Sequence, residues 1–151
     1  MNARLIRGIR VAQWLFLLLT LAFIWGNSCI PVAVSDEQSK TVTEHVKPQL
    51  EAAVGKGKVT NQLVRKLAHF TEFAALGFQI LLLRRENTPL SAARAAELGF
   101  FAAFSDESIQ VLSNRGAQIT DVWLDTAGVA FGVLAALLLR FLYLRLRRKK
   151  E

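Results

Sequence analysis

The sequence predicts an all-α integral membrane protein, built as a bundle of four transmembrane helices with both termini in the cytoplasm. The chain of 151 residues is 52% hydrophobic and has a mean hydropathy of +0.31, which is too apolar for a typical soluble domain. The apolar residues gather in four long runs, and basic residues cluster at the ends of those runs. This is a membrane pattern, so residues 1–151 are predicted to form a single membrane domain.

The four predicted spans differ in polarity. The first is expected to be a retained span rather than a cleaved signal, because no small-x-small cleavage site is evident before Cys29. The third is the least apolar, since Glu97 opens it and an acidic pair interrupts it. The fourth contains Gly128 and Gly132, a Gly-x-x-x-Gly pattern that is typical of close helix contact. The predicted spans are 11–27, 63–83, 95–112 and 122–144.

The polar segment 28–61 is predicted to be a loop on the outer side. Ser35 to Gln38 resemble a capping box, and Val42, Val46 and Leu50 recur at helical spacing. Two interpretations are open: a short amphipathic helix on the membrane surface, or a solvated helical loop.

Charge predicts the orientation of the bundle. With the N-terminus inside, twelve of the 19 basic residues lie on the inner side, and nine of the 12 acidic residues lie on the outer side. The positive-inside rule therefore favours a multi-pass membrane protein with both termini in the cytoplasm. The net charge of +7 lies at the ends of apolar runs and not on one soluble face, so no nucleic-acid partner is predicted.

This orientation brings three polar segments to the outer end of the bundle. The second helix begins there, the third ends there and the fourth begins there, each with its ionisable residues on one arc, about 60° wide in the second and fourth helices. Ionisable residues within membrane spans are more often functional than they are in soluble cores. The predicted ligand-binding residues are Arg65, Lys66, His69, Glu72, Asp106, Glu107, Gln110, Arg115, Asp121 and Asp125.

Two motifs in this order resemble the VanZ-like family. The first is the segment Arg65-Lys66-Leu-Ala-His69-Phe-x-Glu72-Phe. The second runs from Asp106-Glu107-x-x-Gln110 through Asn114-Arg115-Gly116 to Asp121-x-x-x-Asp125-Thr126-x-Gly128. The resemblance implies a bacterial polytopic membrane protein, in a family whose founding member gives low-level resistance to the glycopeptide teicoplanin. It implies no particular chemical mechanism.

Three classes of function fit these residues. The outer cavity could bind an amphipathic ligand, such as a glycopeptide or a lipid-linked envelope precursor, with Arg65, Lys66 and Arg115 facing its phosphate or carboxylate groups. His69 with Glu72 or Asp106 could instead act as general base and acid in a membrane-embedded hydrolase or transferase. The third class is a non-catalytic partner subunit of an envelope complex. No activated nucleophile is evident in the sequence, which favours binding. The oligomeric state is left open.

A metal site is the alternative interpretation of the same residues. His69 and Glu72 lie one helical turn apart, and carboxylates lie on two other helices, as in carboxylate-bridged bundles. The match is incomplete, because there is one histidine, and Arg65 and Arg115 would compete for the same carboxylates. The sequence therefore predicts no metal and no cofactor.

The orientation can be tested by labelling single cysteines in a background without Cys29. An impermeant reagent added to intact cells should modify positions 35–60, which face outward, and spare positions 84–94 and the basic tail, which face the cytoplasm. Labelling of the tail from outside would contradict the predicted convergence of the polar segments at the outer end.

Overall fold

A computed structural model describes residues 3–84, 86, 88–114 and 118–149, and these residues form five α-helices and no strand. The sequence patterns explain two of the helix starts: Thr60 and Thr88 each accept a hydrogen bond from the backbone N–H three residues later, at 3.1 Å. Pro89 follows Thr88 at the first helical position, where its missing N–H costs nothing. The helices are α1 (Ala3–Ser28), α2 (Val32–Val54), α3 (Asn61–Leu83), α4 (Pro89–Leu112) and α5 (Ile119–Arg148).

Three of these helices, α1, α3 and α5, are long and apolar enough to cross a membrane. They correspond to the first, second and fourth predicted spans. Helix α4 covers the third predicted span and has 24 residues, but it carries Arg94, Glu97, Asp106 and Glu107 and is not among the apolar candidates. The all-helical class is thus confirmed, whereas a bundle of four spans with cytoplasmic termini stays a prediction.

The exterior of this protein differs from that of a soluble protein, although its core is also largely apolar. Large apolar side chains are widely exposed, among them Trp14 at 55% and Phe131 at 59%. Asp106 and Asp125, in contrast, are exposed by 0% and 1%. An apolar exterior around buried carboxylates suits helices that present their outer faces to lipid.

The segment between α1 and α3 is more helical than expected. The start predicted at Ser35 is wrong, because α2 begins directly after Pro31 and Ser35 is buried within the helix. Helix α2 runs for 23 residues with Pro48 inside it, and it packs against α3. Proline fixes a backbone φ that is compatible with the start of a helix. With Pro31 as its N-cap, α2 begins three residues before the predicted capping box.

Helices α3 and α5 form the most extensive helix pair, and glycines set their separation. A Cβ at Gly128 would meet the carbonyl oxygen of Phe70, and a Cβ at Gly132 would meet that of Ala74. In the opposite direction, a Cβ at Gly77 would meet the backbone of Val129. The close contact predicted for the Gly-x-x-x-Gly pattern is confirmed, and backbones this close maximise van der Waals packing between membrane helices.

Hydrogen bonds between helices hold α1 and the far end of α5. Gln79 Nε2 donates to Thr20 Oγ1 at 3.0 Å, which joins α3 to α1. Trp25 Nε1 donates to the carbonyl oxygen of Ala102 on α4 at 3.4 Å. Arg140 donates to the carbonyl oxygens of Leu82 and Arg84 at 3.1 and 2.7 Å, at the end of α3, where a cation is favoured.

The glycine contact should be sensitive to a single methyl group. We expect Gly132→Ala to lower the stability of the protein by about 1–3 kcal/mol, because the new Cβ overlaps the α3 backbone. Gly26→Ala is the matched control, since a Cβ there meets no atom within 4 Å. Thermal unfolding in detergent, followed by tryptophan fluorescence, measures both variants. Equal melting temperatures would show that α3 and α5 can move apart without a loss of stability.

Candidate functional site

One end of the helix bundle collects the ionisable residues, and we call it the polar end. Helices α1 and α4 end there, and helices α3 and α5 begin there. His69 on α3 lies between two acidic residues, with its Nδ1 3.9 Å from Asp106 Oδ2 on α4 and 3.9 Å from Asp125 Oδ1 on α5. One ligand atom from each of these three residues lies within 4.8 Å of the others. We call His69, Asp106 and Asp125 the His-Asp cluster.

Asp106 is held in place by two hydrogen bonds. Ser28 Oγ, in the last turn of α1, donates to Asp106 Oδ1 at 2.6 Å. Gln110 Nε2, one turn later on α4, donates to Asp106 Oδ2 at 2.9 Å. A buried carboxylate is expensive unless it accepts hydrogen bonds, so these two donors explain how Asp106 stays fully buried. They also fix the direction in which Oδ2 faces His69.

Asp125 has no such support among the residues that the structure describes. Both of its carboxylate oxygens are buried without a hydrogen-bond partner there, although Oδ1 lies 3.9 Å from the His69 ring nitrogen. Asp125 is three residues before Gly128, in the part of α5 that packs most closely on α3. Helix packing, and not a local hydrogen bond, therefore positions this side chain.

Two ion pairs lie at the margin of the polar end. Lys66 Nζ is 3.2 Å from Asp121 Oδ1, and Arg65 Nη1 donates to Asp36 Oδ1 on α2 at 3.0 Å. All four side chains are about one third exposed or more, so each pair contributes little to stability if water reaches it. Their positions bring two cations to the border of the polar end.

Glu107 and Glu72 occupy different surroundings from the His-Asp cluster. Glu107 Oε1 accepts a hydrogen bond from the backbone N–H of Gln118, directly before α5, so its negative charge lies at a helix N-terminus. This contact fastens the end of α4 to the start of α5. Glu72 is partly buried and lines a cavity of about 190 Å³ between α1, α2 and α3.

A larger cavity of about 400 Å³ opens between α3, α4 and α5. His69 and Arg65 border both cavities, whereas Lys66, Asp121 and Asp125 border only the larger one. Nine of the ten predicted site residues are therefore at the polar end, and the tenth, Arg115, lies outside the described residues. An anionic group entering the larger cavity would meet Lys66 and Arg65, and a cationic group would meet Asp121 and Asp125.

Sequence reasoning missed two residues of this network, Ser28 and Asp36. Ser28 belongs to no motif, and Asp36 entered only as part of the predicted capping box. Their partners are 78 and 29 residues away in the chain. Of the two arginines expected to compete for the carboxylates of the predicted site, Arg65 pairs with Asp36, and Arg115 lies outside the described residues. One signal was available in the sequence. The predicted topology ends α1 at the polar end, and the segment that follows α1 lies over that end.

The fold and the cluster together define an all-helical membrane protein with ionisable residues buried at one end of its helices. The sequence pattern of the VanZ/LLP1 family matches residues 13–140, and the chain belongs to this family. The matched range includes α3, α4 and all three residues of the His-Asp cluster. Neither a curated protein nor a solved structure matches the chain in the same comparisons.

The support of Asp106 can be tested at Ser28. We expect Ser28→Ala to lower the free energy of unfolding by about 1–2 kcal/mol, because a buried carboxylate loses a donor. Ser108→Ala is the control, since its exposed hydroxyl bonds to a carbonyl of its own helix. Denaturant titration in detergent measures both. Equal free energies of unfolding for the two variants would show that the burial of Asp106 does not depend on its hydrogen bond to α1.

Proposed function

We propose that the protein is a multi-pass protein of the bacterial cytoplasmic membrane that binds the head group of an amphipathic ligand at its outer face. The ligand class is a lipid-linked envelope precursor or a glycopeptide such as teicoplanin. The observation that carries the proposal is the cavity of about 400 Å³ at the polar end, bordered by both cations and carboxylates. A head group that carries phosphate, carboxylate and amine groups finds complementary partners there.

An apolar groove supports an amphipathic ligand over a fully polar one. A second space of about 540 Å³ lies between α1, α3 and α4 and is lined mainly by apolar side chains, from Trp25 and Ser105 down to Trp14 and Leu83. Ser105 directly precedes Asp106, so the groove begins next to the polar end and extends toward the other end of the bundle. An acyl or prenyl chain would lie in this groove while its head group occupies the polar end.

The packing of α4 supports the four-span arrangement that the proposal needs. Its 24 residues extend about 36 Å at 1.5 Å per residue, which is enough to cross the hydrocarbon core. Two of its three acidic residues, Asp106 and Glu107, are buried against other helices and not turned to lipid, whereas Glu97 is exposed. With four spans, the positive-inside rule places the polar end outside and the tail after α5 inside.

Variants of the polar end should separate ligand binding from folding. We expect Lys66→Gln, Arg65→Gln and Glu72→Gln to leave the melting temperature nearly unchanged, because water in the cavities screens the charge that is left behind. Each should weaken ligand retention at least about tenfold, which corresponds to about 1.4 kcal/mol. Lys47→Gln is the control, since Lys47 pairs at 4.0 Å with Glu51 on α2, away from the cavities.

Native mass spectrometry of the protein in detergent measures retention and identifies the co-purified molecule. The melting temperatures of the same samples report folding, and teicoplanin susceptibility of cells that express each variant reports resistance. Parallel loss of melting temperature and retention in all three variants would show that the charged residues only stabilise the bundle.

A membrane-embedded hydrolase or transferase is the second candidate, favoured by the position of His69 between two carboxylates. A carboxylate that orients a histidine makes it a better general base. Recovery of the co-purified molecule in a cleaved form, abolished by His69→Gln, would favour catalysis over binding alone.

A further inference from the structure

We propose that His69, Asp106 and Asp125 bind one divalent transition-metal cation of the Zn²⁺ or Mn²⁺ class. The site lies where α3, α4 and α5 meet, and each helix contributes one ligand. Imidazole nitrogen and carboxylate oxygen together suit first-row divalent cations, whereas Mg²⁺ and Ca²⁺ prefer oxygen alone. The proposal is independent of the amphipathic ligand, because it concerns the protein alone.

The distances in the His-Asp cluster leave room for an ion. The ring nitrogen of His69 is 3.9 Å from one oxygen of each aspartate, and the three ligand atoms lie within 4.8 Å of one another. Ligands that bind a cation at about 2.0–2.2 Å stand about 3–3.5 Å apart. Side-chain shifts of about 0.5–1 Å would therefore close the three atoms around one ion. Direct hydrogen bonds between them would instead need contacts of about 3 Å.

Asp125 gives an independent indication of a ligand. It is 1% exposed, it faces the cluster, and neither of its oxygens has a hydrogen-bond partner in the described parts of the chain. A buried carboxylate without hydrogen bonds costs several kcal/mol, on the order of 3–5 where a charge is left uncompensated. A metal ion removes this cost, because it supplies both the positive charge and the missing bond.

Asp106 has the outer support that metal-binding carboxylates usually have. Ser28 and Gln110 donate to its two oxygens at 2.6 and 2.9 Å, which fixes the plane of the carboxylate toward His69. Such partners around a ligand orient it, and their removal typically weakens metal binding about 10–100-fold.

Within the described residues, the two neighbouring cations have other partners, and the site has an entrance. Arg65 pairs with Asp36, and Lys66 pairs with Asp121, so neither forms an ion pair with Asp106 or Asp125. His69 and Asp125 both border the cavity of about 400 Å³, through which an ion can enter from the polar end. The sequence disfavoured a metal because it offers one histidine in this region and two arginines that would compete for the carboxylates. The structure groups that histidine with carboxylates of α4 and α5.

The first experiment uses the wild-type protein in detergent. Protein purified without chelators should contain about one Zn²⁺ or Mn²⁺ per chain by elemental mass spectrometry. Removal of the ion with EDTA should lower the melting temperature, and Zn²⁺ or Mn²⁺ should restore it at concentrations at least tenfold below those of Mg²⁺ or Ca²⁺. Less than a tenth of an ion per chain, with a melting temperature that no cation changes, would overturn the proposal and indicate a shared proton in its place.

Variants locate the site. We expect Asp125→Asn and His69→Gln to bind Zn²⁺ at least tenfold more weakly, and Gln110→Leu to weaken it to a similar degree. The controls are His45→Gln and Glu37→Gln, which remove an imidazole and a carboxylate from exposed positions on α2. Equal binding by His69→Gln and His45→Gln would mean that the ion binds elsewhere.

A spectroscopic measurement tests the site without substituting any of its three ligands. The chain has two histidines, so the His45→Gln protein retains His69 as its single histidine. With ¹⁵N-labelled histidine and bound Mn²⁺, electron paramagnetic resonance should show hyperfine coupling to the imidazole nitrogen. A bound Mn²⁺ without that coupling would exclude His69 as a ligand and overturn the site as proposed.

Discussion

The backbone contact between α3 and α5 is the constraint on which the polar end depends. Gly128 faces Phe70 and Gly132 faces Ala74, so the register of the two helices is set by places where no side chain fits. His69 directly precedes Phe70, and Asp125 lies three residues before Gly128. The same register therefore brings the imidazole and the carboxylate together. A different rotation or shift of α5 would separate them and would also lose the close packing, so packing and site are coupled.

Sequence periodicity predicted the helices and the end of the bundle at which the ionisable residues meet. The expected spans 63–83 and 122–144 correspond to α3 and α5. Helix α3 is longer than its predicted span at the polar end, and α5 is longer at both ends. Hydrophobicity reports burial in lipid, so it locates the centre of a span better than its ends. The sequence also predicted a helical segment between α1 and α3. Its length was not predicted, because the polar residues of α2 give no clear boundary.

The partners within the site could not be predicted in the same way. One arc of each helix contains several ionisable residues, and the choice among them depends on helix rotation. His69 and Glu72 share an arc, yet His69 contacts Asp106 and Asp125 while Glu72 borders the smaller cavity near α2. Ser28 and Asp36 enter through contacts between distant parts of the chain. Such contacts follow from the packed structure and not from local spacing.

The chemical type of the buried groups distinguishes a functional site from contacts that only hold helices together. Below the polar end, α1 and α3 are joined by the neutral pair Thr20 and Gln79, and α3 and α5 by glycines. Neutral polar pairs and small residues suffice for association of membrane helices, and they avoid the cost of removing a charge from water. Two almost completely buried carboxylates beside one histidine are thus more costly than bundle assembly requires. Their cost is explained if they bind something positive, and the cavity beside them provides the route by which it arrives.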